Sequence, residues 1–299
     1  MAETTLTKLL DILQYSTELL KSKNIDNARL NVELMLCDTL KCDRVKLYLD
    51  FEKPLTKEER DSFKIKLLRR INGEPLQYIL GYTDFCDVKI FLNKDVLIPR
   101  PETEELVVKI LDEIIKRTTE KFKIYEAATG SGCISIALGK ALEKAGLDYE
   151  ITASDISSEA IKTAKYNAEY NKVRNIKFEN QDFLELNNID KEYNVFVMNP
   201  PYVSKDEVQS LDHVILDWEP LNAVTDYEDG LKFYKKMFDM MKNRNLNAEF
   251  IFCEIGYNQK EKLQSLMESY RIGGYEFFKD LSGNDRILFI KNESGNTAG

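Results

Sequence analysis

Residues 122–132 read Phe122-Lys123-Ile124-Tyr125-Glu126-Ala127-Ala128-Thr129-Gly130-Ser131-Gly132. The first six suit a buried strand, and an apolar helical period follows over 132–144. Between them lies a turn of small residues. With little or no side chain at 128, 130 and 132, a ligand can approach the backbone closely. The turn delivers the chain to a helix N-terminus, whose free N–H groups favour a carboxylate or phosphate. It is not a P-loop, because no Gly-Lys-Ser/Thr follows, and the spacing is not GxGxxG. The competing reading is an ordinary tight connection between a strand and a helix.

The same alternation continues outward. Strands are expected at 122–127, 149–154, 175–179, 193–198, 248–254, 275–280 and 286–291. Helices are expected at 132–144, 157–170, 229–243 and 258–270, with an earlier one opening at Pro101 beside the acids Glu102, Glu104 and Glu105. Such alternation predicts an α/β domain with a mostly parallel sheet covered on both faces. Only a short turn, Ser282 to Asp285, separates the last two strands, so one of them should run antiparallel. Open α/β sheets bind ligands at the carboxyl ends of their strands. Asp155 ends the second strand, 25 residues after Gly130, where an acid can hold ribose hydroxyls. Asp182-Phe183 follows the third strand, offering an acceptor for an adenine amino group and a ring to pack on it; a phenylalanine there also suits plain core.

The fourth strand runs Val195-Phe196-Val197-Met198 into Asn199-Pro200-Pro201-Tyr202. Asn199 precedes a proline and is held extended. The two prolines lack N–H groups, so the backbone there offers only acceptors, and the Asn199 side-chain oxygen adds another. That arrangement suits a planar –NH2 group, whose two hydrogens need two acceptors. Tyr202 supplies a flat face beside it. A surface turn is the competing reading for these four residues alone.

Before the alternation the pattern is helical. Leu6, Leu9, Leu10, Leu13 and Leu20 predict a helix over 4–22, Asp26 a cap for a second reaching Leu40, Arg44 to Leu49 a short third, and Thr56 with Glu59 a capping box opening a fourth that stops at Asn72-Gly73. Gln77 to Leu80 and Val88 to Leu92 read as strands of a hairpin. The expected division is therefore a helical bundle over 1–73, a hairpin linker over 74–99 and an α/β domain over 100–299. The 299 residues are 43% hydrophobic with a net charge of −9. Through Pro75 there are 14 basic and 13 acidic residues, so the negative charge lies in the remainder. An acidic body argues against non-specific duplex binding. Five scattered cysteines without a CxxC pair, and a single histidine, suit a reduced cytoplasmic compartment and no metal site. No apolar run is long enough to span a membrane.

The chain resembles the HemK/PrmC family of S-adenosylmethionine-dependent methyltransferases over nearly its whole length. The resemblance is carried by Glu74 to Tyr78, Leu97 to Glu104, the loop at 126–132, Thr152 to Ser157, Asn199 to Tyr202, Glu219 to Val224, Asp229 to Leu231 and Asn284 to Arg286. Asn-Pro-Pro-Tyr alone is shared with adenine-directed amino methyltransferases; the stretches after Leu97 and Glu219 are more particular to this family. One departure stands at Glu126-Ala127-Ala128, where the family's loop usually reads Asp-x-Gly. The extra methyl of Ala128 narrows the approach to the methionine end of the cofactor, and binding is expected to survive.

The resemblance implies a class I, Rossmann-like methyltransferase fold behind a small helical domain, which is expected to dock the release factor, with a structural cap on the catalytic body as the competing reading. It implies methylation of the glutamine in the Gly-Gly-Gln motif of peptide chain release factors, with S-adenosylhomocysteine as product and no metal. Glu126, Ala128, Thr129, Gly130, Ser131, Gly132, Asp155, Asp182, Phe183 and Asn199 would hold the cofactor. Asn199 and the Pro200 carbonyl would each accept one N–H of the glutamine amide, with Pro201 and Tyr202 packed against it. An N-alkylated amide cation is acidic enough to lose its proton without a strong base. A monomer with no stable nucleic-acid partner is expected. The alternative is a nucleic-acid adenine N6-methyltransferase, which would need basic and aromatic residues around a flipped base.

Overall fold

The computed structural model describes residues 7–116 and 121–292. The expected beginning of the first helix at residue 4 lies outside them. The chain divides into two compact units, 1–81 and 82–299.

The first unit is helical: α1 (Leu9–Ser22), α2 (Ala28–Leu40), α3 (Arg44–Leu49), α4 (Lys57–Ile71) and α5 (Leu76–Leu80). Leu9, Leu13 and Leu20 of α1 meet Val32, Met35 and Leu36 of α2 and Phe63 and Leu67 of α4 in one core. The capping box forms: Thr56 Oγ1 accepts from the Glu59 N–H at 3.2 Å, and the Glu59 carboxylate accepts from the Thr56 N–H at 2.7 Å. Asp26 does not cap α2. The cap position is Asn27, in the left-handed region at φ 51°, and the Asn31 side chain donates to the carbonyls of Asp26 and Asn27 instead. Residues 77–80 are helical rather than extended. Pro75 starts that turn, Gly81 ends it at φ 79°, and Arg69 holds it by pairing with Glu74 and donating to the carbonyls of Tyr78 and Ile79.

The second unit opens with a hairpin, β1 (Tyr82–Phe85) and β2 (Val88–Phe91). Its two-residue turn, Cys86-Asp87, has positive φ at both positions, which suits the twist of the flanking strands. Then come α6 (Pro101–Ile114), β3 (Phe122–Ala127), α7 (Cys133–Ala145), β4 (Tyr149–Asp155), α8 (Ser158–Asn171), β5 (Ile176–Asn180) and β6 (Val195–Met198). Two short helices that the sequence pattern did not reveal, α9 (Lys205–Val208) and α10 (His213–Trp218), follow. The chain ends with α11 (Lys232–Lys242), β7 (Phe250–Glu254), α12 (Lys260–Tyr270), β8 (Tyr275–Lys279) and β9 (Asp285–Lys291).

The seven-stranded sheet has the order β5-β4-β3-β6-β7-β9-β8, and β9 is the antiparallel strand. Every residue of β6 and β7 is buried, as expected for strands covered on both faces. Tyr125, Ala127, Phe196, Met198, Ile251 and Cys253 face α11 and α12 in one apolar cluster. From β3 the chain winds outward through β4 and β5, then returns to place β6 on the other side of β3. The crevice between β3 and β6 is thus the topological switch point, where such sheets bind ligands. Ala127 pairs with Met198 and Met198 with Cys253. Ala128, Asn199 and Glu254 therefore leave the sheet side by side. Among the described residues no helix is long and apolar enough to cross a membrane.

Candidate active site

Two cavities open at this edge and share Asn199, Leu97, Arg100 and Ala223 in their walls. Glu126, Ala128, Thr129, Gly130, Ser131, Asp155, Asp182, Phe183 and Pro201 wall the first. Pro200 and Tyr202 wall the second, with Glu254 and Arg286. Asn199 stands where the two meet.

The loop after β3 is built mostly by near neighbours. Glu126 is buried, and its Oε2 accepts from both the N–H and the hydroxyl of Ser135 on α7. Burial pushes its carboxyl up to about 7, against the pull of these donors. A cation bound beside it would favour the ionised form. Ala128 sits at φ 57° and Gly130 at φ 55°. The left-handed region costs a residue with a Cβ about 1–2 kcal/mol, so Ala128 carries backbone strain that glycine would not. Gly130 has open space where a Cβ would point, so a side chain there would project into that space. Gly132 has a different reason: its φ is 80°, and a Cβ would lie 2.9 Å from that of Ala164 on α8. It lets α7 pack against α8 and is not part of the cavity wall.

Asp155 Oδ2 accepts from the Gly130 N–H and Oδ1 from the Ser157 N–H, both at 2.8 Å. Burial raises its carboxyl above the ordinary value, while these two donors oppose the shift. An ionised carboxylate has about four acceptor positions, so capacity remains for two ribose hydroxyls. Asp182 Oδ1 accepts from the Leu184 N–H at 2.8 Å and opens a short 3-10 turn. Phe183 is 3% exposed and lies nearly parallel to Phe233, ring centroids 6.3 Å apart. It serves mainly as core, with Phe233, unnoticed in the sequence, lining the same cavity. Asn167 of α8 anchors the loop from behind, donating to the carbonyls of Ser131 and Phe91 and so joining it to β2.

The end of β6 is built from distant residues. Asn199 Nδ2 donates to Thr103 Oγ1 on α6 at 3.2 Å. Thr103 in turn donates to Glu254 Oε2 at 2.6 Å, and the Tyr202 hydroxyl donates to Glu254 Oε1 at 3.2 Å. Burial keeps Tyr202 a neutral phenol by pushing its pKa well above the ordinary value. Burial likewise raises the Glu254 carboxyl, opposed by the Thr103 hydroxyl and the charge of Arg286. Glu219, almost wholly buried, accepts from the Ile98 N–H and pairs with Arg100 at 2.7 Å. That carboxylate ties the stretches at 97–104 and 219–224 into a common wall. Sequence reading gave no role to Thr103, Glu219 or Glu254. The available signal for Glu254 was an acid ending an otherwise apolar strand, Phe250–Glu254; Thr103 and Glu219 carried none beyond the stretches they belong to.

Comparison with known proteins adds the following. Residues 11–81 match the PrmC N-terminal domain, and residues 118–292 match a methyltransferase domain. The chain is 36% identical to the release factor glutamine methyltransferase of Thermodesulfovibrio yellowstonii, over 86% of this chain and 90% of that protein. It is 34% identical to that of Fusobacterium nucleatum subsp. nucleatum, over 94% of this chain and 78% of that protein. It is 35% identical to that of Bacillus subtilis, over 86% and 88%. Among solved structures, the delta-N METTL16 MTase domain superposes with a TM-score of 0.52 at 17% identity, covering 73% of this chain and 94% of that one. At that identity the likeness concerns the fold alone.

Proposed function

The chain belongs to the release factor glutamine methyltransferase family, and from that premise we propose that it methylates the glutamine amide nitrogen of the release factor Gly-Gly-Gln motif at Asn199, where the two cavities meet. It is an S-adenosylmethionine-dependent protein-glutamine N-methyltransferase. The nucleic-acid adenine reading is not favoured, because the relatives matched over most of the chain are release factor enzymes.

When bound, S-adenosylmethionine supplies a methyl group activated by a sulfonium. The first cavity suits it in charge: its wall is rich in carboxylates, Glu126, Asp155 and Asp182 among them, around a backbone left bare at Gly130. Glu126 would face the cationic end, Asp155 would take the ribose hydroxyls, and Asp182 would accept from the adenine amino group. An amide nitrogen is a weak nucleophile, so the site's main work is orientation. Asn199 Oδ1 and the Pro200 carbonyl each accept one amide hydrogen, fixing the plane of the –NH2 and stabilising charge that grows on nitrogen. Pro201 and Tyr202 pack against the amide. Tyr202 keeps its proton and serves as a wall, not a base.

The position of Asn199 between a nucleotide-type cavity and a second cavity carries this reading. Transfer of labelled methyl to purified release factor, compared with DNA, tests it. Label on release factor that disappears when the Gly-Gly-Gln glutamine is replaced is the expected result; label on DNA alone would refute the reading. The helical unit is assigned to docking the release factor, a role supported by the location of every residue lining the two cavities at or after Asp95. A chain beginning at Tyr82 that methylates intact release factor at the parent rate would rule that role out. The reading includes a monomer acting in the cytoplasm without a stable nucleic-acid partner.

A further inference from the structure

Asn199 can accept from a glutamine –NH2 only when its own amide is turned one way. Its carbonyl and –NH2 ends have nearly the same size, and either could face the junction of the cavities. The structure turns the –NH2 inward, onto Thr103 Oγ1. A threonine hydroxyl has a single hydrogen, so it accepts from Asn199 only while that hydrogen is directed elsewhere. Here the hydrogen is directed to Glu254 Oε2 at 2.6 Å. The other carboxylate oxygen receives the Tyr202 hydroxyl, and the backbone carbonyl of Glu254 receives the Tyr234 hydroxyl at 2.6 Å. Burial opposes ionisation of Glu254, but the charge of Arg286 and the two hydroxyl donors favour the carboxylate, which accepts and never donates, so both side-chain hydroxyls point toward it. Arg286, held by Asp280 and the Ile255 carbonyl, places its charge beside this cluster. Thr103 and Glu254 are 2% and 1% exposed, so water is poorly placed to replace either partner.

We infer that Glu254 is a positioning residue for methyl transfer: acting through Thr103, it fixes the Asn199 side chain so that its carbonyl oxygen, not its –NH2, meets the substrate amide. The inference rests on the assignment of Asn199 as the amide acceptor. A glutamine at 254 could donate to Thr103, turn the threonine hydrogen toward Asn199 and reverse the amide. The relay spans three elements, β7, α6 and the end of β6, and each joins the next through one hydrogen bond.

The experiment uses the full chain with purified release factor. Thr103→Val replaces the hydroxyl by a methyl of similar shape, Thr103→Ser keeps the hydroxyl, and Glu254→Gln removes the obligate acceptor. Thr103→Val and Glu254→Gln are each expected to lower kcat by about tenfold or more, the scale of one orienting hydrogen bond. The Kd for S-adenosylhomocysteine, measured by calorimetry, should change far less than kcat: Thr103 and Asn199 stand in the first cavity's wall, but neither is hydrogen-bonded to Glu126, Asp155 or Asp182. Thr103→Ser should recover kcat to within about threefold of the parent, since the relay is restored. The double variant Thr103→Val/Glu254→Gln should be no slower than either single, as links of one chain are not additive. In 15N-labelled protein the Asn199 side-chain –NH2 signal should move in Thr103→Val and stay in Thr103→Ser. Full kcat in Thr103→Val, together with an inactive Asn199→Ala, overturns the positioning role and leaves Asn199 as the acceptor. Full activity in Asn199→Ala overturns the acceptor assignment itself. Multiplicative losses in the double variant would show two independent roles and overturn the relay. If Glu254→Gln does not fold, the two Thr103 variants and the –NH2 signal still decide the matter.

Discussion

The ends of β3 and β6 are neighbours in the sheet, yet they are held in different ways. The loop after β3 is fastened by its own surroundings: Glu126 takes Ser135, 9 residues on, and Gly130 is bound by Asp155 of the next strand, 25 residues on. On the proposed reading it meets the cofactor with backbone turned left-handed at Ala128 and Gly130, flanked by the carboxylates of Glu126 and Asp155. The end of β6 depends on partners 96 residues away at Thr103 and 52 away at Glu254. Its work is done by side chains whose orientation the local sequence does not fix. A region that binds through backbone can be specified by small residues in a row. A region that must orient one amide needs support from elsewhere in the fold.

That contrast can be broken most severely at Gly130. Valine there would meet the left-handed backbone penalty, about 1–2 kcal/mol, and would place a branched side chain at the wall of the first cavity. We expect a folded protein with a lowered melting temperature and no measurable S-adenosylhomocysteine binding. A Gly130→Val chain that binds as tightly as the parent would make residues 126–132 a mere connection. Asn199→Ala should do the opposite, lowering kcat by roughly 10²–10³ while cofactor affinity falls much less, by analogy with a lost oxyanion-hole donor. Cofactor Kd and kcat measured on the same preparation separate the two ends.

Glu126 offers a test by pH. Its carboxyl stands near 7 in the folded protein against an ordinary 4.5. The stability associated with its protonated form is complete below about 4.5 and is lost as pH rises through 7, an effect of about 3 kcal/mol at most. The melting temperature of the unliganded protein should therefore drop more between pH 5 and 8 than that of Glu126→Gln. A cationic cofactor favours the carboxylate, so binding near neutral pH should release protons. Calorimetry in buffers of different ionisation enthalpy reads that release directly, and identical heats in all buffers would contradict it. The smallest effect concerns Ala128. Replacement by glycine relieves the positive φ and should raise stability by about 1 kcal/mol, less the entropy that glycine adds to the unfolded chain. An unchanged or lower melting temperature would mean that the backbone is not strained there.

Much of this was readable in the residues. The strands and helices of the second unit were legible because apolar runs and helical periods alternate, and because Gly130, Gly132 and the prolines after Asn199 punctuate them. The misreadings lie where local preference meets a distant contact. Gln77 to Leu80 looks extended, but Arg69 supplies donors to its carbonyls and closes a helical turn. Asp26 looks like a cap, but Asn31 takes over the carbonyls at that end. Gly132 looks like part of a ligand cradle, but its small size serves the contact with Ala164. Phe183 has two sides: its ring lies beside Phe196 and Phe233, and it also lines the first cavity.

By itself the sequence determined that an α/β sheet would present, at one edge, a small-residue loop, two acids after successive strands and a pair of backbone acceptors beside an asparagine. Periodicity and proline stereochemistry are local, so they survive without knowledge of the fold. Only the tertiary structure decided that β3 and β6 would be neighbours, that Asn199 would stand between two cavities, and which end of its amide would face them. Those outcomes follow from strand order and register, Ala127 beside Met198 and Met198 beside Cys253, which bring Glu254 level with Asn199. Thr103 reaches both from a helix that begins about 20 residues before the sheet. No spacing in the chain encodes that meeting. It arises when buried polar groups, brought together by packing, must each find a partner.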